Sequence, residues 1–561
     1  MDGMTTGEEA QSRIYRMRWW TLAIVSVTVL LATIDETILN VAIPSLQRDL
    51  GASASSLQWM VNSYMLVFGG LLLTMGGVGD RFGRARMLRY GLAVFALSSL
   101  GAALAQSPAQ LIGARAIMGM GGAMMMPATL AVIVNVFEEK EKPKAIAIWA
   151  MMAGIGVALG PILGGALLKY FYWGSVFLVN VPIAGIAIAA SLFLVPDSRD
   201  PKSRPLDIPG ALLSMGAVSA LMLAIIEGPE WGAASPRLAI TVATAVILGL
   251  GFVLRERQAA YPLLDFALFR LPRFSTGAAA ISLAFFSMVG FIFGFTQYLQ
   301  FVQGHTPLAA GIRFLPIAGG FMFGAIASEE LVRRFGTTRV VAAGLVIMTA
   351  TMPLVLLWET NTSYLVIGPV VAVFALGVGL VFAPAAEAVM GAVGAAKAGV
   401  GSAMNDMTQT LAGAFSIAVV GSVMYAIYAA RLGDAAASLP AEEAEVARDS
   451  IGAAVQLAAS LPQEDALALT AAANSAFTDA LGLAVLIGAG FSLVGVLIVA
   501  RFMPARDTNV SEDDESQSAR ELELEGPLAP GEAATQLILA DTPSLPRAPS
   551  RDSDGVQYIS A

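Results

Sequence analysis

The dominant feature of this sequence is a series of long apolar stretches that continue along most of its 561 residues. About 20 apolar residues in a helix are enough to cross the ~30 Å hydrocarbon core of a bilayer. Stretches of about this length occur at residues 19–43, 57–77, 90–107, 110–134, 145–168, 174–195, 208–227, 238–254, 275–300, 314–332, 340–358, 364–385, 404–428 and 478–500. The sequence therefore predicts an all-α membrane protein with fourteen transmembrane helices.

The composition agrees with a membrane protein. Hydrophobic residues make up 56% of the chain and charged residues only 13%, against about 25% charged residues in a typical soluble domain. A water-soluble chain could not bury so much apolar side chain, whereas a bilayer is itself an apolar solvent. The first apolar stretch is too long for a signal-peptide core and no clear cleavage site follows it, so we expect it to be retained.

The net charge of −9 describes one segment rather than a binding surface. Residues 505–561 contain twelve acidic residues and four arginines, so the rest of the chain is close to neutral. Nucleic-acid binding has no support in this distribution. The segment is also rich in Ser and Pro and poor in aromatic residues, which predicts a disordered acidic tail.

Several chemistries have no support in the residue inventory. The chain has no cysteine and a single histidine, His305, in a predicted loop. A metal site needs several convergent ligands, so no metal is predicted. No G-x-x-x-x-G-K-[ST] phosphate-binding loop is present, which argues against ATP-driven transport. The sequence therefore predicts neither an enzyme nor a cofactor.

The distribution of basic residues predicts the orientation. With the N-terminus in the cytoplasm, the cytoplasmic segments before the tail contain 21 Lys or Arg and the external segments contain 6. This is the positive-inside pattern. We expect both termini to lie on the cytoplasmic side of the cell inner (plasma) membrane. The longest external loop is then residues 430–476, which is Ala-rich and predicted to form one or two short surface helices.

Two opposite charges fall inside predicted spans at similar depth. Asp35 lies ~24 Å along the first helix from its cytoplasmic start, and Arg115 lies ~8 Å below the outer end of the fourth. Since the core is ~30 Å thick, the two side chains can meet and offset the cost of their burial. One interpretation is a static structural ion pair. The other is a switch, in which protonation of Asp35 releases Arg115.

Two further acids are weaker candidates for proton or substrate binding. Glu36 follows Asp35 and points about 100° away from it on a helix. Asp406 lies near the start of the thirteenth span, where it could also be a solvated vestibule residue.

A basic string follows the second span, and it predicts a tight turn anchored at the cytoplasmic face. Asp80 is the one acid in it and is expected to have a specific partner. The string resembles motif A of the major facilitator superfamily, and this resemblance assigns conformational gating to Gly76, Asp80, Arg81, Gly83 and Arg84. A degenerate copy follows the tenth span, with Arg333 where the first copy has Asp80.

Three other strings strengthen the resemblance. Residues 35–44 look like the first-helix motif of the fourteen-span drug:proton antiporters. Residues 111–121 resemble motif B, except for Met118 where Gln is common. Residues 173–182 resemble the sixth-helix signature of the same family.

The fifth span carries glycines at a spacing of four residues, which places them on one helix face. Such a face is equally typical of ordinary helix packing, and a proline beside it favours a bend. The string also resembles motif C, a marker of antiporters in the superfamily. By that resemblance the two halves pack and move against each other at Gly156, Gly160, Pro161, Gly164 and Gly165.

The resemblance implies an organisation for the whole chain. It divides the chain into a cytoplasmic N-terminus (1–18), a six-helix bundle (19–195), two extra linker helices (208–254), a second six-helix bundle (275–500) and the tail (505–561). The implied function is export of lipophilic, often cationic drugs in exchange for protons, by a monomer. The alternatives are a proton-coupled exporter of one endogenous metabolite and a non-transporting membrane sensor.

Overall fold

The computed structural model describes residues 6–138, 140–199, 207–232, 234–259, 268–393, 398–436 and 439–504, and no β-strand occurs among them. The tail predicted at 505–561 lies outside the described residues. The α-helices are α1 Thr6–Leu50, α2 Ala54–Phe82, α3 Arg84–Ala103, α4 Pro108–Val136, α5 Lys142–Tyr170, α6 Ser175–Leu178, α7 Asn180–Leu194, α8 Ile208–Trp231, α9 Pro236–Gln258, α10 Pro272–Gln297, α11 Pro307–Ile312, α12 Leu315–Phe335, α13 Thr337–Thr351, α14 Tyr364–Val393, α15 Ala398–Ala436, α16 Ala441–Asp449, α17 Ile451–Ala458 and α18 Gln463–Phe502.

The predicted spans fall on these helices, except that the span 275–300 ends in a π-helical turn, Tyr298–Val302, and the span 340–358 ends in a 3₁₀ helix, Met352–Leu357. Within the described part of the chain, 13 helices are long and apolar enough to cross a membrane. The remaining predicted span is α3, whose 20 residues reach ~30 Å. Three arginines in its first two turns reduce its apolar character. These arginines lie at one end, where basic side chains reach the membrane interface.

The first bundle comprises α1 to α7, and its packing depends on glycines in α4. In this bundle α2 and α3 both pack on α4, and α1 packs on α5. A Cβ atom at Gly119 would overlap the backbone of Tyr64 in α2, and one at Gly121 would overlap the backbone of Phe95 in α3. The absence of side chains at these two positions lets three helix backbones approach closely.

Helices α8 and α9 form a pair beside the two bundles. Helix α8 contacts α2 and α15, one helix from each bundle. The Trp59 indole donates a hydrogen bond to Glu227 of α8 at 2.9 Å, and the Ser422 hydroxyl donates to the Ile225 carbonyl at 3.0 Å. Helix α9 packs on α8 and leaves large apolar side chains exposed, which suits a helix that faces lipid.

The second bundle comprises α10 to α15 and α18. Its main contacts join α12 to α14, α13 to α14, and α10 to both α15 and α18. A buried pair of hydroxyl groups links α10 to α18. The Oγ atoms of Ser287 and Ser492 lie 2.9 Å apart, and Ser287 Oγ also donates to the Gly488 carbonyl at 2.7 Å. These bonds satisfy polar groups that would otherwise be unpaired in an apolar interior.

We call the end of the helix bundle at which α1 begins the N side, and the end at which it finishes the far side. The two bundles are closed against each other at the far side. There the Gln300 amide donates to the Val41 carbonyl at 2.9 Å, and the Gln58 amide lies 3.3 Å from the Ser422 hydroxyl.

The segment 430–476 forms less of a loop than predicted. Helix α15 continues to Ala436 and α18 begins at Gln463, so only the short helices α16 and α17 stand between them. The expected short helices are present as α16 and α17, and the Ala-rich sequence on either side of them continues α15 and α18 as helix. We call α16 and α17 together the far-side hairpin.

The far-side hairpin is attached to the first bundle. The Gln47 amide at the end of α1 donates to the Ser450 hydroxyl, and the Ala54 N–H at the start of α2 donates to the Asp449 carboxylate at 3.4 Å. Burial raises the pKa of Asp449, against the opposing hydrogen bonds from Ser450 and Ala54. The hairpin therefore connects the second half of the chain to the first.

Candidate functional site

Asp35 and Arg115 form a fully buried ion pair inside the first bundle. The Arg115 Nη1 atom lies 2.5 Å from Asp35 Oδ2, and the two side chains are 1% and 0% exposed. The similar depths that the sequence predicted for Asp35 and Arg115 are therefore consistent with their direct contact. A buried charge that loses its partner is strongly destabilising, so neither residue can be removed without consequence for the other.

Two groups of α2 hold the Arg115 guanidinium in place. Its Nε atom donates to the Met60 carbonyl at 3.2 Å, and its Cζ atom lies 4.4 Å from the centre of the Tyr64 ring. The close packing of α4 on α2 brings these groups within reach. A cation over an aromatic face in a dry site is stabilised by the ring quadrupole, so Arg115 has partners besides Asp35.

The structure adds Asn180 to this site. Its Nδ2 atom donates to Asp35 Oδ1 at 2.7 Å and to the Ser99 hydroxyl at 3.3 Å. Asn180 is the first residue of α7, directly after the chain breaks from α6. Pro182 lacks the N–H that would continue the helix hydrogen bonds across this break. The sixth-helix signature was the available sequence signal, but spacing alone does not show which side chain Asn180 meets.

Glu36 is the neighbouring acid, and its environment differs from that of Asp35. Its side chain is only partly buried, and within the described residues its carboxylate makes no hydrogen bond or ion pair. It lies near Arg115 and Asp35 without contacting either through its carboxylate. Glu36 is thus an acid with free hydrogen-bonding capacity beside a saturated ion pair.

Asp406 is not brought to this site. It is partly buried in α15, two residues after the start of the Met404–Gly433 span. Ser422 of the same helix lies at the level of Gln58, close in sequence to Met60, which contacts Arg115. Sixteen residues separate Asp406 from Ser422, which is roughly 24 Å of helix. Asp406 is therefore an N-side residue of the second bundle.

The residues of the motif A string form a compact turn on the N side. Gly83 links α2 to α3 with φ of 118°, a conformation that favours glycine. The partner of Asp80 is Arg84, the first residue of α3, whose Nε atom lies 2.8 Å from Asp80 Oδ1 across the turn. Gly76 faces Pro127 of α4, and the Arg81 guanidinium lies near the Phe82 ring. The turn is therefore closed by contacts within the first bundle.

Neighbouring arginines anchor the turn to the end of α7. Arg86 pairs with Asp197 at 3.0 Å, and the Arg89 guanidinium donates to the Ser191 and Val195 carbonyls at 2.9 and 3.2 Å. The degenerate copy in the second bundle has a similar turn at Gly336, with φ of 84°. There Glu330 pairs with Arg333 at 2.6 Å and also with Arg334. In this copy the acid of the ion pair is therefore Glu330, one helical turn before the position that corresponds to Asp80.

The glycine face of α5 has a different partner from the one expected. Gly156, Gly160 and Gly164 pack on Thr33, Thr37 and Ile38 of α1, inside the first bundle. The expectation that these three glycines line the contact between the two halves is therefore wrong. The physical reason is that α1 crosses α5 on this face, and a Cβ atom at any of the three would overlap α1.

The adjoining face of α5 does meet the second bundle. A Cβ atom at Gly165 would lie 2.6 Å from the Cα atom of Leu308, and one at Gly311 would overlap the Pro161 carbonyl. Pro161 and Gly165 therefore form the inter-bundle part of the motif C string. Both partners belong to α11 on the far side.

Metal chemistry has no site among the described residues, where no group of three or more His, Asp or Glu side chains could hold a metal ion. His305 lies between α10 and α11, and burial lowers the pKa of its imidazole.

The membrane-length helices with the buried pair of Asp35 and Arg115 define a multi-pass membrane protein. The family model of the Major Facilitator Superfamily matches residues 25–417. The chain belongs to the Major Facilitator Superfamily.

Its relatives include named efflux proteins. The chain is 36% identical to the multidrug efflux pump LfrA of Mycolicibacterium smegmatis, over 88% of this chain and 98% of the relative. It is 32% identical to the tetracenomycin C resistance and export protein of Streptomyces glaucescens, over 89% and 93%. It is 33% identical to the multidrug resistance protein Stp of Mycobacterium tuberculosis, over 74% and 78%.

A solved structure has the same fold. The inward-facing, unoccupied structure of a bacterial homolog to the human lysosomal transporter Spinster superimposes with a TM-score of 0.62 at 17% identity. The match covers 86% of this chain and 98% of that one. At this level of identity the likeness concerns the fold alone.

Proposed function

We propose that this protein exports lipophilic, often cationic drugs or antibiotics in exchange for protons, with its N side in the cytoplasm. The observation that carries the proposal is the fully buried pair of Asp35 and Arg115. An ionisable pair at membrane depth is costly to maintain and marks a proton or ion pathway in transporters.

The geometry suggests how Asp35 would carry a proton. In the ionised state its two oxygens accept hydrogen bonds from Arg115 and Asn180. Protonation removes the charge that holds the Arg115 guanidinium, while the Met60 carbonyl and the Tyr64 ring can still retain it. The site thus has two charge states that favour different arrangements of the helices around it, and such a bias is what couples binding to a conformational change.

Glu36 supplies a candidate contact for a cationic substrate. Its carboxylate has free acceptor capacity and is partly exposed. An acid in an apolar cavity can be neutralised either by a proton or by an organic cation, so the two ligands compete. Asp406, on the N side of the second bundle, would attract a cation where it enters from the cytoplasm.

Motif A and motif C would govern the movement. The turn at Gly76, Asp80, Arg81, Gly83 and Arg84 holds the N-side ends of α2 and α3 together as a unit. The glycines of α5 fix it to α1, so Pro161 and Gly165 can transmit movement to α11. Opening the far side requires these α5–α11 contacts to separate.

The names of the relatives support a drug-like substrate, and one of them supports a narrower alternative. LfrA and Stp are named for multidrug efflux and resistance, whereas the Streptomyces glaucescens protein is named for a single compound. The second candidate is therefore export of one compound by the same mechanism. Export of chemically diverse dyes and antibiotics by cells that express this chain favours the first, and export of a single class favours the second.

Proton coupling is tested in reconstituted vesicles. A proton gradient should drive substrate movement, and adding substrate should release or take up protons at zero gradient. Substrate movement that is unaffected by collapse of the proton gradient contradicts the proposal. We treat the transporter as a monomer, and sizing of the active preparation checks this.

The orientation is tested by cysteine labelling, which is simple because the chain has no native cysteine. A single cysteine in the far-side hairpin should react with an impermeant reagent outside the cell. One placed in residues 505–561 should react only after the membrane is opened. External labelling of the tail contradicts the orientation.

A further inference from the structure

The Asn180 amide is only half satisfied in the structure. Its Nδ2 atom donates both hydrogens, one to Asp35 Oδ1 at 2.7 Å and one to the Ser99 hydroxyl at 3.3 Å. Its Oδ1 atom is buried and has no hydrogen-bond partner. Asn180 and Ser99 are both fully buried. An unpaired buried acceptor is costly, and beside an acid it is available to receive a proton-bearing group.

An amide can match either protonation state of a neighbouring carboxyl group. The ionised carboxylate only accepts, so it requires the Nδ2 donor that now faces it. A protonated carboxyl donates one O–H, so it requires an acceptor. Rotation of the amide by about 180° would place Oδ1 at the position of Nδ2. Both lone pairs of Oδ1 would then be used, since the Ser99 hydroxyl can donate as well as accept.

We propose that Asn180 is a positioning residue that sets the proton affinity of Asp35 by presenting its amide nitrogen to the carboxylate and its amide oxygen to the acid. The proposal rests on the proposed role of Asp35 as the proton carrier. The proton itself passes to Asp35 Oδ1, and Asn180 changes only its orientation. Ser99 takes part in the switch because its hydroxyl can accept from Nδ2 in one orientation of the amide and donate to Oδ1 in the other.

Other charged and titratable groups around Asp35 would be less able to follow its protonation. Arg115 of α4 is a permanent donor and favours only the ionised form. Glu36 lies next along α1, and its ionised carboxylate can only accept hydrogen bonds. Tyr64 of α2 presents its ring to Arg115. Among these described groups, Asn180 alone offers both a donor and an acceptor to the Asp35 carboxyl.

The test measures the protonation of Asp35 directly. Infrared spectroscopy of the purified full-length protein should show a carboxylic-acid band that titrates with pH and is absent from Asp35→Asn. In Asn180→Leu both forms of Asp35 lose a hydrogen bond, but the ionised form loses the stronger one, because a hydrogen bond to a charged group exceeds one between neutral groups. The titration should therefore move to higher pH by about one unit or more. Ser99→Ala should move it less, because the bond between Asn180 and Asp35 remains.

Asn62→Leu is the matched control. Asn62 is also fully buried, and neither of its amide atoms has a partner. The same substitution there should leave the titration of Asp35 unchanged. The proposal is overturned if Asn180→Leu titrates like the unmodified protein, or if Asn62→Leu shifts the band equally. If Asn180→Leu fails to insert into the membrane, Asn180→Ser replaces it, because a serine side chain is too short to reach Asp35. The same two criteria then apply to Asn180→Ser.

The outcome is separable from that of the proposed function. If Asp35→Asn retains drug-dependent proton exchange, Asp35 is not the proton carrier, and the infrared titration still decides whether Asn180 controls its protonation.

Discussion

The two bundles bury different kinds of polar group. In the first, the Asp35 carboxylate is joined to Arg115 and Asn180, so a full ion pair lies in the interior. In the second, the corresponding interior bonds are neutral. The Tyr425 hydroxyl donates to Gln297 at 3.0 Å, and the Ser287 and Ser492 hydroxyls share a bond of 2.9 Å.

The difference indicates a division of labour. A buried ion pair is weak evidence for stability, because desolvation offsets much of its attraction. Neutral hydrogen bonds satisfy buried polar groups at lower cost and do not titrate near neutral pH. The paired buried charge therefore belongs to the first bundle, whereas Asp406 on the N side is the candidate acid of the second.

The largest expected effect is that of Asp35→Asn. Asn is nearly isosteric and can still accept a hydrogen bond from Arg115, but it cannot exchange a proton. Drug-dependent proton flux in vesicles should fall by about a hundredfold or to background, while the protein still inserts. Full drug-dependent proton exchange by this variant would show that the buried ion pair does not give the first bundle a role in proton transfer.

Arg115→Ala should be the next most severe change. It leaves the Asp35 charge unpaired in a dry site, so export should fall by about tenfold or more, and thermal stability should fall with it. The pH optimum of the remaining activity should move upward, because a nearby cation favours the carboxylate.

The double variant Asp35→Asn with Arg115→Met separates stability from transport. It removes both charges together, so it should recover stability without recovering export. Restored export in the double variant would show that the pair is structural only.

The far-side hairpin gives a weaker, pH-dependent effect. Burial raises the pKa of Asp449 in the attached hairpin, so the protonated form is favoured there. The contribution of Asp449 to attachment is thus present at low pH and decreases as pH rises through this raised pKa. Three other titratable groups lie near Asp449, namely Glu230, Tyr425 and Tyr428. Repulsion between the carboxylates of Asp449 and Glu230 also favours protonation.

Labelling of Ala444→Cys, a buried position of α16, measures this effect. The rate for purified protein, corrected for reagent reactivity, should rise a few-fold with pH. The rise should disappear in Asp449→Asn. A pH-independent rate in the Ala444→Cys protein would exclude Asp449 as the titrating group.

Tyr425→Phe should have a smaller effect. It removes one neutral hydrogen bond to Gln297, worth about 1 kcal/mol, so export should change by less than about fivefold. The pH profile should be unchanged, since no titrating group is altered. A shifted profile would show that the second bundle also takes part in proton transfer.

The smallest effect is expected for truncation after residue 505. The composition of the tail cannot build a packed core, so export per molecule in the membrane should stay within about twofold. Loss of export at normal membrane levels would assign the tail a role that neither bundle supplies.

The membrane spans, the turn at Gly83 and the common depth of Asp35 and Arg115 could all be predicted from the sequence. These features are readable because hydropathy, helix rise and turn conformation are local properties of the chain. The same local information did not show that α15 and α18 continue as helix into the segment 430–476, since Ala-rich helix and Ala-rich loop have similar composition.

The helix faces that pack against each other could be identified only in the folded protein. The glycines of α5 pack on α1 rather than on the second bundle, and Asn180 reaches Asp35 across more than a hundred residues. The rotation of each helix about its axis, and its choice of neighbour, depend on the shapes of all the helices around it. That is why spacing could place Asn180 in a signature without revealing that it binds the central acid.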